Sequence, residues 1–114
     1  TYNKKFIKNK TIYQKGKMMR LSNQTIIILK QTISKYIQNP KIILFGSRVD
    51  DNKKGGDIDI LVQTDEHINL RKQIKILAEC EIKGISRKID MLFQTPFTEV
   101  EPIFTTATKE GIVL

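Results

Sequence analysis

The stretch KIILFGSRVDDNKKGGDIDILV, residues 41–62, decides the fold because two short apolar runs flank a polar segment in it. Lys41–Phe45 is rich in β-branched residues, which predicts a buried strand. In residues 57–62 apolar and acidic side chains alternate, which predicts a second strand with one buried face. Residues 47–56 between them hold almost no apolar side chain and end in two glycines, so we predict a loop.

Three aspartates, Asp57, Asp59 and Asp90, lie in or at the start of apolar runs, although aspartate is depleted in strands. Asp57 and Asp59 are two residues apart and therefore point to one side of their strand, with Cα atoms about 6.6–7 Å apart. Asp90 lies on a third predicted strand, residues 87–93, and joins the pair if that strand is its neighbour. Like charges gathered at one point repel unless a cation lies between them, and oxygen ligands without His or Cys favour Mg²⁺. The pattern predicts a magnesium site.

Simpler structural interpretations exist for each acid. Asp57 and Asp59 fit a solvated strand face, and Asp90 fits a salt bridge to Arg87 or Lys88. The residues that favour a ligand site are Gly46 and Ser47, which end a buried strand and open a turn. Glycine permits close backbone approach, and the serine hydroxyl with exposed backbone N–H groups can hold phosphate oxygens.

Helical patterns flank the predicted strands. Ser22 is placed to cap a first helix whose apolar residues recur at spacings of three and four, and which Pro40 ends. Residues 68–83 predict a second helix with Leu70, Ile74, Leu77 and Cys80 on its apolar stripe, and residues 97–109 predict a short third helix before an edge strand at 112–114. The order helix, strand, strand, helix, strand, helix predicts an α+β fold (mixed α/β), with a mixed sheet covered by helices.

The formal net charge of +8 belongs almost entirely to the first twenty residues, which carry seven of the 20 basic residues and no acidic one. From position 21 onward, 13 basic residues face 12 acidic ones. We predict that residues 1–20 form a disordered basic tail or sequence upstream of the native start at Met18 or Met19, and that residues 21–114 form the domain. We do not expect direct nucleic-acid binding.

The longest apolar stretches fall far short of the roughly 20 residues that cross a bilayer, so we expect no membrane partner. Cys80 is the single cysteine, which excludes a disulfide within the chain and fits a reducing compartment. We expect a cytoplasmic protein.

The string Phe45-Gly46-Ser47-Arg48, followed after a loop by Asp57-Ile58-Asp59-Ile60, resembles the signature of the polymerase-beta-like nucleotidyltransferase superfamily. Asp90, in a later strand, matches the third carboxylate of that family. The resemblance implies a nucleotidyltransferase-like fold. The spacer from Ser47 to Asp57 is nine residues where minimal members commonly have ten, which concerns the loop geometry rather than the chemistry.

The resemblance implies transfer of AMP from ATP to a hydroxyl acceptor. Asp57, Asp59 and Asp90 would be the catalytic residues and the ligands of two Mg²⁺ ions, and Asp90 would help to accept the proton of the acceptor. The β and γ phosphates of ATP would bind Gly46 and Ser47. Positive charge for the leaving pyrophosphate would come from Arg48, Lys53 or Lys54.

The small size and the closing sequence EGIVL, residues 110–114, are similar to the minimal nucleotidyltransferase (MNT) proteins, many of which are antitoxins paired with HEPN-domain ribonuclease toxins. This implies a Tyr on the partner toxin as the acceptor, in a type VII toxin-antitoxin pair. Two alternatives stay open. One is an antitoxin that acts by occluding its partner, and the other is nucleotidyl transfer to a small molecule or an RNA end with a partner subunit.

Overall fold

A computed structural model describes residues 11–14, 17–45 and 57–114, and within these ranges the chain forms six strands and three helices. The strands are β1 (Thr11–Gln14), β2 (Lys17–Arg20), β3 (Lys41–Phe45), β4 (Ile58–Gln63), β5 (Ile89–Gln94) and β6 (Ile112–Val113). The helices are α1 (Asn23–Tyr36), α2 (Leu70–Ile82) and α3 (Pro102–Glu110). None of these helices combines the length and the apolar character that a bilayer crossing needs.

The main sheet has the strand order β5-β4-β3-β6. Strand β3 runs antiparallel to both β4 and β6, whereas β4 and β5 run parallel, joined by the crossover helix α2. The sheet is therefore mixed, and the predicted α+β class is confirmed. The predicted strands over 57–62 and 87–93 are displaced by one or two residues from β4 and β5.

The strands β1 and β2 form a separate antiparallel pair within the segment for which the sequence predicted no regular structure. The register pairs Thr11 with Arg20 and Gln14 with Lys17. The boundary at position 20 and the idea that residues 1–17 lie upstream of the native start stay predictions.

Helix α1 begins as predicted at Ser22, whose Oγ accepts a hydrogen bond from the backbone N–H of Thr25 at 3.0 Å. Such a cap satisfies one of the N–H groups that the first helical turn leaves unpaired. The helix ends at Tyr36, four residues before Pro40. Its buried apolar face contains Ile26, Ile28, Leu29 and Ile33.

Apolar side chains pack on both faces of the main sheet. The larger cluster, here the first core, lies between the sheet and helices α1 and α2, and it takes Ile58, Ile60 and Val62 from β4. The smaller cluster, here the second core, contains Ile43, Leu61, Phe104 and Ala107, the last two from α3. Side chains of β4 thus alternate between the two cores, as strand geometry requires.

Helix α2 corrects one part of the sequence prediction. The predicted stripe places Leu70 and Ile74 in the core, but their exposed fractions are 68% and 56%. The fully buried residues of the helix are Ile76 and Cys80. The helix carries apolar residues on two sides, and periodicity alone does not tell which side meets the sheet.

Glu79 links α2 to α1. Its carboxylate accepts hydrogen bonds from the hydroxyl of Tyr36 at 2.6 Å and from Nζ of Lys35 at 3.0 Å, and it pairs with Nζ of Lys83 at 2.9 Å. These donors, with the Tyr36 hydroxyl first, lower the pKa of Glu79 from 4.5 to about 2. The interaction fixes the relative position of two helices on the first core.

Helix α3 begins at Pro102, so the predicted start at residue 97 is wrong. Residues Thr95 and Thr98 form a turn instead: the backbone N–H of Thr95 donates to Oγ1 of Thr98 at 3.0 Å, and this hydroxyl donates back to the carbonyl of Thr95 at 2.9 Å. Threonine hydroxyls that bond to nearby backbone favour turns over helix. Phe104 is buried, whereas Phe97 is 69% exposed.

Candidate functional site

The parallel pairing of β4 with β5 brings two of the three predicted acids side by side. In this register Asp59 is the direct partner of Asp90. Neighbouring strands are about 4.8 Å apart. Asp57 lies two residues before Asp59, immediately before β4 begins, and its side chain is exposed.

Both strand acids point to the α3 face of the sheet. Asp59 lies between Ile58 and Ile60, which belong to the first core, and so shares the opposite face with Leu61 of the second core. Asp90 likewise follows Ile89, which packs against the first core. Alternation along the two strands therefore directs both carboxylates away from α1 and α2.

The pKa of Asp59 is changed by its burial and by the neighbouring carboxylates. Burial raises the pKa of the Asp59 carboxyl above its ordinary value of 3.8, and the negative charges of Asp90 and Asp57 raise it further. The folded chain thus holds Asp59 where its ionised form is unfavourable. Such a shift in a carboxylate cluster is typical of a functional site.

A basic residue also reaches the site. Nζ of Lys88 lies 3.7 Å from Oδ1 of Asp90, one of the two salt bridges that the sequence offered as a structural interpretation of Asp90. The side chains are 71% and 45% exposed, and an ion pair this long and this open to water contributes little stability. Asp90 is therefore held loosely. Lys88 lies two residues before Asp90, and alternation along the chain therefore places both side chains on one face.

The end of β3 lies at the same place. Phe45, its last residue, is the register partner of Asp59. Phe45 and Asp57, the described residues on either side of positions 46–56, therefore both lie at the acidic end of the sheet. The predicted phosphate-binding residues Gly46, Ser47 and Arg48 lie outside the described residues, as do Lys53 and Lys54.

Comparison with known families shows which family the chain belongs to. The family model described as Polymerase beta, Nucleotidyltransferase matches residues 28–114, a range that includes all three acids. The chain belongs to this nucleotidyltransferase family. No curated protein matches the chain. Membership supports nucleotidyl transfer as the general activity of the domain.

The nucleotidyltransferase site fits a magnesium ion by its donor chemistry. The acids offer carboxylate oxygens, and burial, followed by the charges of Asp90 and Asp57, raises the pKa of Asp59, so a nearby cation would stabilise its ionised form. In the described ranges, no three His, Cys, Asp or Glu side chains are close enough together to enclose a metal ion. Mg²⁺ does not require such a cage, because it usually keeps several waters and binds substrate phosphates. Asp59 and Asp90, which the register sets side by side, are the residues that would hold it, and Asp57 as a third ligand stays a prediction.

A cavity of about 540 Å³ lies at the other end of β4 and β5. Its lining includes Gln63, Thr64 and Gln94, and it contains none of the three acids. The acidic end is the candidate for the chemistry of the nucleotidyltransferase, because Asp59 and Asp90 are register partners there and the pKa of Asp59 is raised.

Proposed function

We propose that this nucleotidyltransferase transfers AMP from ATP to the hydroxyl of a Tyr on a partner HEPN-domain toxin, and thereby acts as the antitoxin of a type VII toxin-antitoxin pair. The observation that carries the proposal is the register of β4 and β5, which sets Asp59 beside Asp90 on one face with Asp57 adjoining. The family match supports the transfer chemistry. The nucleotide, the acceptor and the partner rest on the resemblance to minimal nucleotidyltransferases.

The proposed reaction exchanges one phosphorus–oxygen bond for another. The acceptor oxygen bonds to the α phosphorus of ATP, the bond from that phosphorus to the bridging oxygen breaks, and pyrophosphate leaves. The proton of the acceptor hydroxyl passes to Asp90, whose 45% exposed carboxylate is open to an incoming substrate. Bound Mg²⁺ would neutralise the phosphate charge and make the α phosphorus easier to attack.

Asp57 and Asp59 serve a different purpose in this scheme. Their carboxylates add negative charge at the acidic end of the sheet, where burial first and the charges of Asp90 and Asp57 second raise the pKa of Asp59. Carboxylates can ligate a divalent ion that also binds the phosphates of a nucleoside triphosphate, whereas they repel the metal-free triphosphate. We therefore expect ATP to bind only together with the divalent ion.

The position of Asp90 favours a macromolecular acceptor. Strand β5 is an outer strand of the main sheet, and within residues 21–45 and 57–114 Asp90 is half-exposed on it. An acceptor side chain carried on the surface of another protein can reach such an edge. A small-molecule acceptor would need an enclosing pocket, and the described residues around Asp90 do not form one.

The decisive experiment incubates the purified chain with ATP labelled at the α phosphate, Mg²⁺ and the protein encoded by the adjacent gene. We compare the wild type with Asp57→Asn, Asp59→Asn and Asp90→Asn. Asp65→Asn is the matched control, because Asp65 is an exposed aspartate beyond the far end of β4. Complex formation is measured in parallel by co-purification.

We expect label on the neighbouring protein with the wild type and Asp65→Asn, and loss of at least about 100-fold in rate for the three site variants, with the complex retained. Neutralisation of the toxin by the site variants without labelling would instead support occlusion. Label on a small acceptor or an RNA end, and none on the neighbouring protein, would refute the antitoxin assignment and leave nucleotidyl transfer standing.

A further inference from the structure

The solvent side of α2 carries an apolar row that the fold does not use. Leu70, Ile74 and Ile82 are 68%, 56% and 84% exposed, and Ala78 completes their four-residue spacing as another exposed residue. Residues four apart on a helix lie on one face, so these four side chains form a single stripe. We call it the α2 stripe.

The stripe lies opposite the face that holds α2 in the domain. Ile76 and Cys80 are fully buried in the first core, and Glu79 faces α1 through its bonds to Tyr36 and Lys35. At 100° per residue, the centre of the stripe is half a turn from Ile76. Among the described residues nothing covers the stripe, so a second molecule is the means we consider for removing it from water.

Charged residues beside the stripe are arranged with opposite signs at its two ends. Arg71 lies at the start of α2 and Glu81 at its end, and both are exposed. Neither has an ion-pair partner in the part of the chain that the structure describes. A partner helix running antiparallel, with a basic start and an acidic end, would complement both charges.

A second copy of α2 is such a helix. A two-fold axis at the level of position 76 places Ile74 opposite Ala78, Leu70 opposite Ile82, and Arg71 opposite Glu81, each pair in both directions. The small Ala78 gives room for Ile74 of the other copy, which lets the two helices approach closely. An isologous interface requires this kind of self-complementarity.

We propose that the chain forms a symmetric homodimer through antiparallel contact of two α2 stripes. The helix pair is only about 20 Å long, so the contact buries less area than a standard stable interface. We therefore expect a reversible dimer with a dissociation constant in the micromolar range. The stripe lies on the side of the sheet opposite Asp59 and Asp90. Both candidate sites of the dimer therefore stay open, and the dimer is independent of the proposed function.

Sedimentation equilibrium over micromolar to near-millimolar concentrations tests the proposal. The wild type should change from monomer to dimer, whereas Ile74→Asp should stay monomeric throughout. Ile27→Asp is the matched control, since Ile27 is an exposed isoleucine of α1 outside the stripe, at 47% exposure. Circular dichroism of each variant checks that the fold is retained, as the exposure of both residues leads us to expect.

A charge exchange tests the register. Arg71→Glu and Glu81→Arg should each weaken the dimer at least tenfold, and the double variant should regain wild-type affinity because both ion pairs are restored with reversed sign. A wild type that stays monomeric at the highest concentration would overturn the proposal. A dimer that survives Ile74→Asp, or a double variant as weak as the single ones, would also overturn it, because the contact would then use another surface or another register.

Discussion

Gly111 connects α3 to β6 at a point where no side chain fits, so Gly111→Ala should damage the fold severely. A Cβ at this position would lie 2.3 Å from Cγ2 of Ile43, 2.5 Å from the carbonyl oxygen of Ala107 and 2.9 Å from that of Leu44. Ordinary contacts begin at 3.4 Å, so the three approaches are too short by about 0.5 to 1.1 Å. The backbone angle φ at Gly111 is −83°, which alanine adopts freely, so the effect is one of space alone.

Two of the three obstructing atoms belong to the backbone, and one of these is the carbonyl of Ala107, which accepts the N–H of Gly111 at 2.8 Å. Rotamer changes therefore cannot relieve the clash, and α3 must move away from the sheet. Overpacking of this kind lowers the free energy of unfolding by about 3 kcal/mol. For a domain of this size that corresponds to a fall of roughly 10–20 °C in the melting temperature.

Thermal and urea unfolding followed by circular dichroism measure the effect. Gly84→Ala is the comparison, because a Cβ there meets nothing within 4 Å and the cost comes only from its φ of +122°. We expect that variant to lose about 1–2 kcal/mol of its free energy of unfolding. A Gly111→Ala protein within about 0.5 kcal/mol of the wild type would refute the close packing of α3 on β3.

Three further predictions concern caps and charges. Ser22→Ala should lower the free energy of unfolding by about 1 kcal/mol, measured by urea titration, because the N–H of Thr25 loses its acceptor; no change would mean that water replaces the cap. Glu79→Gln should be less stable than the wild type at neutral pH. Since the native pKa is depressed to about 2, the stabilisation by Glu79 is complete above pH 4.5 and is lost as the pH falls towards 2, so the two melting curves should converge there; a constant difference would contradict this. Asp59→Asn should be more stable than the wild type near neutral pH without metal, because the native pKa of Asp59 is raised. That advantage should shrink as the pH falls through the raised pKa, and disappear below the ordinary value of 3.8; a destabilised variant at neutral pH would show that the ionised carboxylate is favourable in the fold.

Local signals in the sequence were sufficient to predict most of the fold. The cap at Ser22, the β-branched run Lys41–Phe45 and the alternation in β4 each have one physical interpretation, and the structure confirms all three. The start of α3 was predicted wrongly because Thr95 and Thr98 bond to backbone in a turn that apolar periodicity does not reveal.

The candidate site depended on a long-range contact. Spacing placed Asp57 beside Asp59, but the position of Asp90 required β5 to be the parallel neighbour of β4, which only the topology shows. The inward face of α2 was ambiguous for a related reason, since Leu70 and Ile74 match a helical period as well as Ile76 and Cys80 do. Pattern identifies an apolar face, and tertiary packing decides whether it is covered.

The alternation of β4 also protects the site against errors of assembly. If β4 slipped by one residue against its neighbours, Asp59 would turn into the first core and Ile60 would turn towards the acidic face. Such an isomer would bury a carboxylate without a counter-ion and would be strongly disfavoured. Asp59, whose ionised form is disfavoured in the native state, thus also excludes the register that is shifted by one residue, and a deletion of a single residue within β4 should be poorly tolerated.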